Sequence, residues 1–311
     1  MGMTNGDSSF ISRRSGGVRH PPEADIESIR DLLRGYGSAR SILKELIQNA
    51  EDAEALRMDV LHLPGDPASR HSLLRGPGLL VANNGDFKDE HRDAITQISL
   101  GTKGTGDQAI GRFGKGLKSV FAWCEAFFII ARTDPELGWS QAYISDFFNP
   151  WHSWRHSDWD EQFSSHGEDL VRNAERHIDT IYPRGSSWLA LWFPLRCQAQ
   201  AGNTHTAEEW ISPTLPGDDP KFYQDLVFEL RSLAPSLVSL KSLQQIAIVD
   251  CNIDPHDSLI FEFSPKSKRI PAPDTAPGPV TSVDGRVVLR AVQGRDTQYQ
   301  YCGRAGRLRK A

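Results

Sequence analysis

The chain has 311 residues and a mass of 34.7 kDa, with 39% hydrophobic, 9% aromatic and 24% charged side chains, enough for one large domain or two ordinary ones around a buried core. Those fractions exclude a wholly disordered, collagenous or coiled-coil chain, and a net charge of -5 gives no whole-molecule attraction for nucleic acid or anionic lipid. Four cysteines, Cys124, Cys197, Cys251 and Cys302, lie far apart with no CxxC pair, which points away from a zinc ribbon or disulfide framework and toward a reducing, cytoplasmic compartment.

Met1 to Gly17 is polar, rich in Gly, Ser and Arg, and lacks the apolar core of a secretory signal. Residues 1–24 are therefore expected to form a disordered tail. Gly2 invites a lipidation reading, but Gly6 stands where Ser or Thr is required. Ile26, Ile29, Leu32 and Leu33 predict a short amphipathic helix ending at Gly35, and Ser38 or Ser41 can cap a longer one running to about Leu56. Strands are expected over Met58–Leu63 and Leu79–Ala82, separated by a Pro- and Gly-rich loop, the second strand entering the turn Asn83-Asn84-Gly85. Ala94–Ser99 suggests a helix, Gly101–Gly116 is glycine-rich, Leu117–Cys124 reads as a helix, and Ala126–Ala131 as an apolar strand. The longest apolar run, Val120–Ala131, is broken by Glu125 and is too short to span a bilayer. Trp139–Phe148 and Ser187–Phe193 read as strands, Asn149–Ile178 gives no clear pattern, Phe222–Leu240 is helical, and Gln244–Asp250 is a strand. Pro271–Pro279 is the clearest linker signal, and Val280–Val292 suggests a hairpin around Asp284-Gly285.

Glu45, Asn49 and Asp52 stand at i, i+4 and i+7, so one helical stripe aims two carboxylates and an amide into a cleft while Ile42, Leu43, Leu46 and Ile47 pack inward. An ordinary amphipathic helix with a solvated polar face fits the same spacing. The segment from Ser99 to Ser119 runs into an expected helix start, the arrangement by which backbone N–H groups meet phosphate oxygens, though a plain surface loop is the simpler alternative. Two familiar phosphate patterns fail. Arg112 and Phe113 replace the Lys and Ser or Thr of a P-loop, and Gly114-Lys115-Gly116 lacks the third glycine and preceding strand of a dinucleotide fingerprint.

In order, Leu43–Ala53, Asn83-Asn84-Gly85, Gly111–Val120, Gly185-Ser186-Ser187 and Phe193–Arg196 resemble the GHKL superfamily, the Bergerat-type ATPases, and within it the sacsin-type ATPase-like domain. Leu233–Leu237 followed by Leu240–Leu243 resembles the sacsin-type continuation. The resemblance implies a two-layer α/β sandwich with a mixed, mostly antiparallel sheet and helices on one face, spanning residues 25–250. Residues 251–311 are then a linker and short β-hairpin, the start of a further module, and the chain reads as part of something larger.

The same resemblance implies ATP and Mg²⁺ as ligands, slow hydrolysis and closure of a mobile lid. Glu45 would be the general base for the attacking water, a task that needs a carboxylate within hydrogen-bond reach. Asn49 would lend an amide oxygen to Mg²⁺, and Asp52 would support base or ribose contacts through water. Ser99, Gly101, Thr102 and Lys103 match the start of the lid, with Lys103 meeting a phosphate, while Gly111, Phe113, Gly114 and Gly116 form its phosphate-facing end. Asn83 and Gly85 would line the base pocket, which Ser186 would back. Most members carry Asp where this chain has Asn83; an amide still accepts through oxygen but also donates and carries no charge, so weaker adenine preference and lower affinity are expected, and since sacsin-like domains resemble this chain in having Asn here, the change fits the subfamily rather than marking a dead site. The alternative is a module that senses ATP without hydrolysing it, in a regulatory or scaffolding assembly. Expected partners are ATP or ADP, a protein client and a nucleotide-dependent dimer, with no membrane and no nucleic acid.

Other constellations are weaker. His152 and His156 have helical metal-ligand spacing without an assured third ligand. Lys266–Arg269 and Arg304–Lys310 read as solvated basic tails, and Cys124 as a core residue. A sensor-kinase reading finds only His20 ahead of Glu45, in a Pro-flanked setting. A DNA-repair or topoisomerase reading lacks room for a transducer domain.

Overall fold

The computed structural model describes residues 14–19, 26–85, 87, 116–132, 143–151, 169–183, 186–201, 210–237, 240–251, 259–264, 285–291, 297–301 and 308–310. The Ala94–Ser99 helix, the glycine-rich segment up to residue 115, the His152/His156 pair and the Pro-rich linker lie outside the described residues.

Helix α1 spans Ile26–Tyr36 and α2 spans Ala39–Asp52. The helix α1 passes through Gly35 and stops at Gly37, whose N–H donates to the Leu33 carbonyl at 2.9 Å. Ser38 begins α2: its hydroxyl accepts the Ser41 N–H at 3.2 Å, using one of the four N–H groups that a helix start leaves unpaired. Ile42, Leu43, Leu46, Ile47 and Ala50 of α2 are buried, the three- and four-residue spacing of one apolar face. The helix ends at Asp52 rather than near Leu56, because the Ala53 N–H closes back on the Asn49 carbonyl and Glu54 turns into positive φ.

The strands are β1 (Arg14–Arg19), β2 (Arg57–Leu63), β3 (Gly78–Asn83), β4 (Phe127–Arg132), β5 (Tyr143–Phe148), β6 (Trp188–Pro194), β7 (Gln245–Asp250), β8 (Leu259–Ser264), β9 (Gly285–Ala291), β10 (Thr297–Tyr301) and β11 (Leu308–Lys310). They form one sheet in the order β1-β5-β4-β6-β3-β2-β7-β8-β9-β10-β11, parallel at β1/β5 and β2/β7 and antiparallel elsewhere. This mixed, mostly antiparallel sheet with packed helices is the α/β architecture expected from the sequence, with the difference that a helix also covers part of the second face. Between β2 and β3 the expected loop contains one helical turn, α3 (Ser72–Arg75), capped by His71, whose Nδ1 accepts the Leu73 N–H. Lys118–Ala122 is a 3-10 turn rather than an α-helix. Of the hairpin expected around Asp284-Gly285, residues 280–284 lie outside the described residues, and Gly285 opens β9, which pairs antiparallel with β8 and β10.

Residues paired across neighbouring strands share a face, and this sorts the two sides of the sheet. Met58, Asn83 and Leu189 stand in one cross-strand row, on the parity of His62. A single helical turn, α5 (Gln198–Ala201), follows β6; the His62 ring stacks on Tyr223 and meets Phe222 edge-on, so this face receives α6 (Phe222–Leu237), against which α2 packs. Leu226, Leu230 and Leu233 of α6 are buried. The opposite face, with Asp59, Leu80, Trp192 and Phe128, is covered over part of its width by α4 (helical residues 169–178). Tyr182 donates to Asp59 at 2.8 Å there, and a cavity of about 180 Å³ separates Leu80, Ile130 and Trp192 from Leu170, Ala174 and His177.

Candidate functional site

The polar stripe of α2 occupies the arc left by its apolar face. Glu45 and Asn49 are half-buried and Asp52 is exposed. Burial pushes the Glu45 carboxyl above its ordinary range; Lys44 opposes this and the negative charge of Asp52 adds to it. Glu45 makes no hydrogen bond or ion pair among the described residues.

Gly116 lies against that carboxylate. A Cβ at position 116 would stand 1.9 Å from Glu45 Oε2 and 2.4 Å from its Cδ, so only a residue without a side chain fits while Glu45 keeps this rotamer. The Ser119 hydroxyl donates to the Gly116 carbonyl at 2.6 Å, and Ser119 is buried, which pins the segment leaving the glycine-rich stretch directly over the stripe. The glycine thus lets the backbone approach a carboxylate whose proton affinity is raised.

The Asn83-Asn84-Gly85 turn locks the far end of α2 to the sheet. Asn83 Oδ1 accepts the Gly85 N–H at 2.9 Å. Asn84 Oδ1 accepts the N–H groups of Leu56 and Arg57 at 3.0 and 2.9 Å, tying the turn to the start of β2. A Cβ on Gly85 would come within 2.6 Å of the Ala53 carbonyl, so this glycine permits close approach of turn and helix end. The carboxylate of Glu51, one residue before Asp52, accepts the N–H groups of Lys241, Ser242 and Leu243, fixing the entry to β7. Glu51 and Asn84 both fall inside the motifs read from the sequence, but no spacing rule assigns them these roles.

The structure thus joins Glu45 to Gly116 at the middle of α2, and Asn83 to Gly85 beside its C-terminal end. Ser186 is engaged elsewhere. Its hydroxyl donates to the Pro183 carbonyl at 2.7 Å and its carbonyl accepts from Arg132 Nε at 2.7 Å. Thr102, Lys103, Gly111, Phe113 and Gly114 lie outside the described residues. No group of three or more His, Cys, Asp or Glu side chains suited to a metal occurs among the described residues, and no described helix is long and apolar enough to cross a membrane.

A cavity of about 890 Å³ lies elsewhere, between α1, the 210–216 segment and α6, and none of the stripe residues lines it. Glu125 and Arg196 bond to three residues that line it, Ile211, Ala122 and Thr214. Arg196 is fully buried and donates to Glu125 Oε1 and to the carbonyls of Phe121, Ala122, Cys124 and Thr214. This pair clamps the 3-10 turn to the end of β6.

The Sacsin domain matches residues 23–212, more than half of the chain. The chain belongs to the Sacsin domain family. Human sacsin is 28% identical over 239 residues, which cover 73% of this chain and 5% of sacsin, so the chain spans a small part of that relative's length. Among solved structures, the N-terminal domain of a DNA repair protein aligns with a TM-score of 0.34 and 13% identity over 74% of this chain and 54% of that one; so distant a likeness carries no argument about function. The Sacsin domain match includes the α2 stripe, the Asn83–Gly85 turn, Gly116 and the Glu125–Arg196 clamp, whereas the partners of Glu51 at 241–243 lie beyond it.

Proposed function

We propose that this Sacsin domain protein binds Mg²⁺-ATP at the α2 stripe and hydrolyses it slowly, as a chaperone-like ATPase module. The observation that carries the proposal is the seating of Gly116 on the Glu45 carboxylate. It supports the reading because the glycine-rich segment ends on the one group suited to act as base. A raised pKa brings Glu45 nearer the operating range of a general base. Asn49, one turn along, offers a neutral amide oxygen to a hard cation without adding charge to the stripe. Mg²⁺, when bound, would neutralise phosphate charge. Asp52 and Asn83 are assigned to the base end, near the turn that Gly85 holds against the helix. Lys103, Thr102, Gly111, Phe113 and Gly114 are assigned to the phosphates and to closure of the segment over the site. A cytoplasmic location, a protein client and nucleotide-dependent pairing of two copies belong to the same proposal.

Calorimetry with ATP and a phosphate-release assay test it. Glu45→Ala should keep nucleotide binding and lose hydrolysis, and Asn49→Ala should weaken Mg²⁺-ATP binding itself. Equal hydrolysis by Glu45→Ala overturns the catalytic assignment. A second reading, an ATP-sensing scaffold without hydrolysis, is favoured by one observation, the uncharged Asn83 at the base end. ATP binding without phosphate release would select it.

A further inference from the structure

The cavity of about 180 Å³ on the second face of the sheet has no part in the proposed nucleotide chemistry. Leu80, Ile130 and Trp192 of the sheet form one wall, and Leu170 and Ala174 of α4 the other. Packed interiors hold few voids larger than a water molecule, and an apolar void of this size costs stability unless something fills it. Here the walls are held apart by the segment that joins β2 to β3. Its Asp66 N–H donates to the Leu74 carbonyl at 2.8 Å, and Arg75 donates to the carbonyls of Ser69 and Arg70. Gly65, at a φ of 88°, lies so close to Gly76 that a Cβ would stand 2.1 Å from the Gly76 oxygen. This braced segment also fixes α4, since Arg70 pairs with Asp169 at 3.1 Å and Asn173 Nδ2 donates to Ser69 Oγ at 2.8 Å.

The polar groups offered by the lining are neutral ones. Asn173 commits its Nδ2 to Ser69, which leaves the amide oxygen as an acceptor. Burial, together with the charge of Arg176, pushes the His177 imidazole below its ordinary range, so at neutral pH it is uncharged and has one donor and one acceptor nitrogen. Burial and Asp250 push the Cys251 thiol up to about 11, and it keeps its proton. Of the two charged residues on the lining, Arg176 is exposed and Asp66 accepts the Ala68 N–H at 3.0 Å. We infer that this cavity is a binding site for an uncharged, ring-sized ligand of the phenol class, an aromatic ring bearing one hydrogen-bond donor. A protein cavity of about 150 Å³ with Leu, Ile and Phe walls takes benzene, so the volume here fits one ring. The apolar walls cover the ring, and the Asn173 oxygen or the His177 acceptor nitrogen takes the ligand's O–H. A charged ligand would lose its hydration with no enclosed opposite charge to replace it. The inference is independent of the nucleotide reading, whose residues lie on the other face of the sheet.

The test is ligand-observed NMR and calorimetry of the full chain with phenol, toluene and benzoate. Phenol and toluene are expected to bind saturably, with dissociation constants of about a millimolar or below, and benzoate at least about tenfold more weakly. Ala174→Leu places a larger side chain in the space and should weaken phenol binding by about tenfold or more. Ala174→Val is the smaller filling to use if the leucine variant does not fold. Absence of saturable phenol binding to wild type overturns the inference, as does benzoate binding as tightly as phenol. Toluene binding without phenol binding would mark a purely apolar void and overturns the assigned ligand class, and unchanged phenol affinity in a folded Ala174 variant overturns the location. None of these outcomes bears on ATP binding, which is measured separately.

Discussion

Glu45 and Glu125 are both pushed toward protonation by burial, yet the protein treats them in opposite ways. Glu125 is 5% exposed and accepts from Arg196 Nε, from the Trp151 indole N–H at 3.0 Å and from the Ile211 N–H. Arg196 in turn uses every guanidinium N–H, and its plane lies over the Trp210 ring. Glu45 is half-buried against a glycine, with no partner of this kind among the described residues. A buried charge with all its hydrogen bonds made is a fastener; a partly buried one left unmade has its binding capacity in reserve. The contrast separates structure from chemistry within one layer of helices.

The largest effect should come from breaking the fastener. Arg196→Met removes the cation and leaves Glu125 enclosed, while the carbonyls of Phe121, Ala122 and Cys124 lose their donor. The expected loss is about 3–5 kcal/mol of unfolding free energy, the usual cost of orphaning one member of a buried pair. Urea unfolding measures it; a loss below about 1 kcal/mol would mean that Glu125 reaches water and that the two glutamates differ less than their surroundings suggest.

Gly116→Ala should act the other way round, sparing the fold and striking the site. Glu45 is the flexible end of a side chain and can swing away from the new methyl group, so the stability cost is below about 1 kcal/mol. The carboxylate then sits an ångström or more from its place, which can cost about 100-fold in rate when geometry is the catalyst's contribution. Phosphate release should fall by that order while calorimetric ATP binding falls less. An unchanged rate would detach Gly116 from the proposed chemistry.

How much of this was visible beforehand differs between the two glutamates for a physical reason. The α2 helix was legible because one face meets a core and the other a cleft, so periodicity and the Ser38 cap both survive in the sequence. Five of the central strands fell within a residue or two of their expected bounds, since apolar runs and flanking turn residues mark them. The Glu125 environment was not legible. Lys118–Ala122 is buried on every side, leaving no amphipathic signal to separate a 3-10 turn from an α-helix. Its end is shut by a residue 72 positions from Cys124, whose carbonyl Arg196 takes, and pairing over such a distance has no local signature. Glu125 therefore read as an interruption in an apolar run, and Arg196 only as the end of a motif. The α4 cover was missed because its anchors, Arg70 on Asp169 and Ser69 on Asn173, are polar contacts between distant segments.

The smallest effect is the sharpest test of Glu45, because its sign follows from the direction of the pKa shift alone. The folded carboxyl titrates above its ordinary value of 4.5. Below that pH both folded and unfolded chains hold the proton, and Glu45 contributes nothing to the pH dependence. As pH rises through 4.5, the unfolded chain releases its proton first, so the folded state binds more protons and stability declines until the folded carboxyl has also ionised. Glu45→Gln mimics the protonated form at every pH. It should therefore match wild type in acid and exceed it at neutral pH, by less than about 1 kcal/mol once solvent screening of a half-exposed group is allowed for. Unfolding midpoints across pH 4 to 8 measure the divergence. A variant less stable than wild type at neutral pH would mean that the ionised Glu45 carboxylate is held by a favourable partner, and Glu45 would then belong with Glu125 among the fasteners.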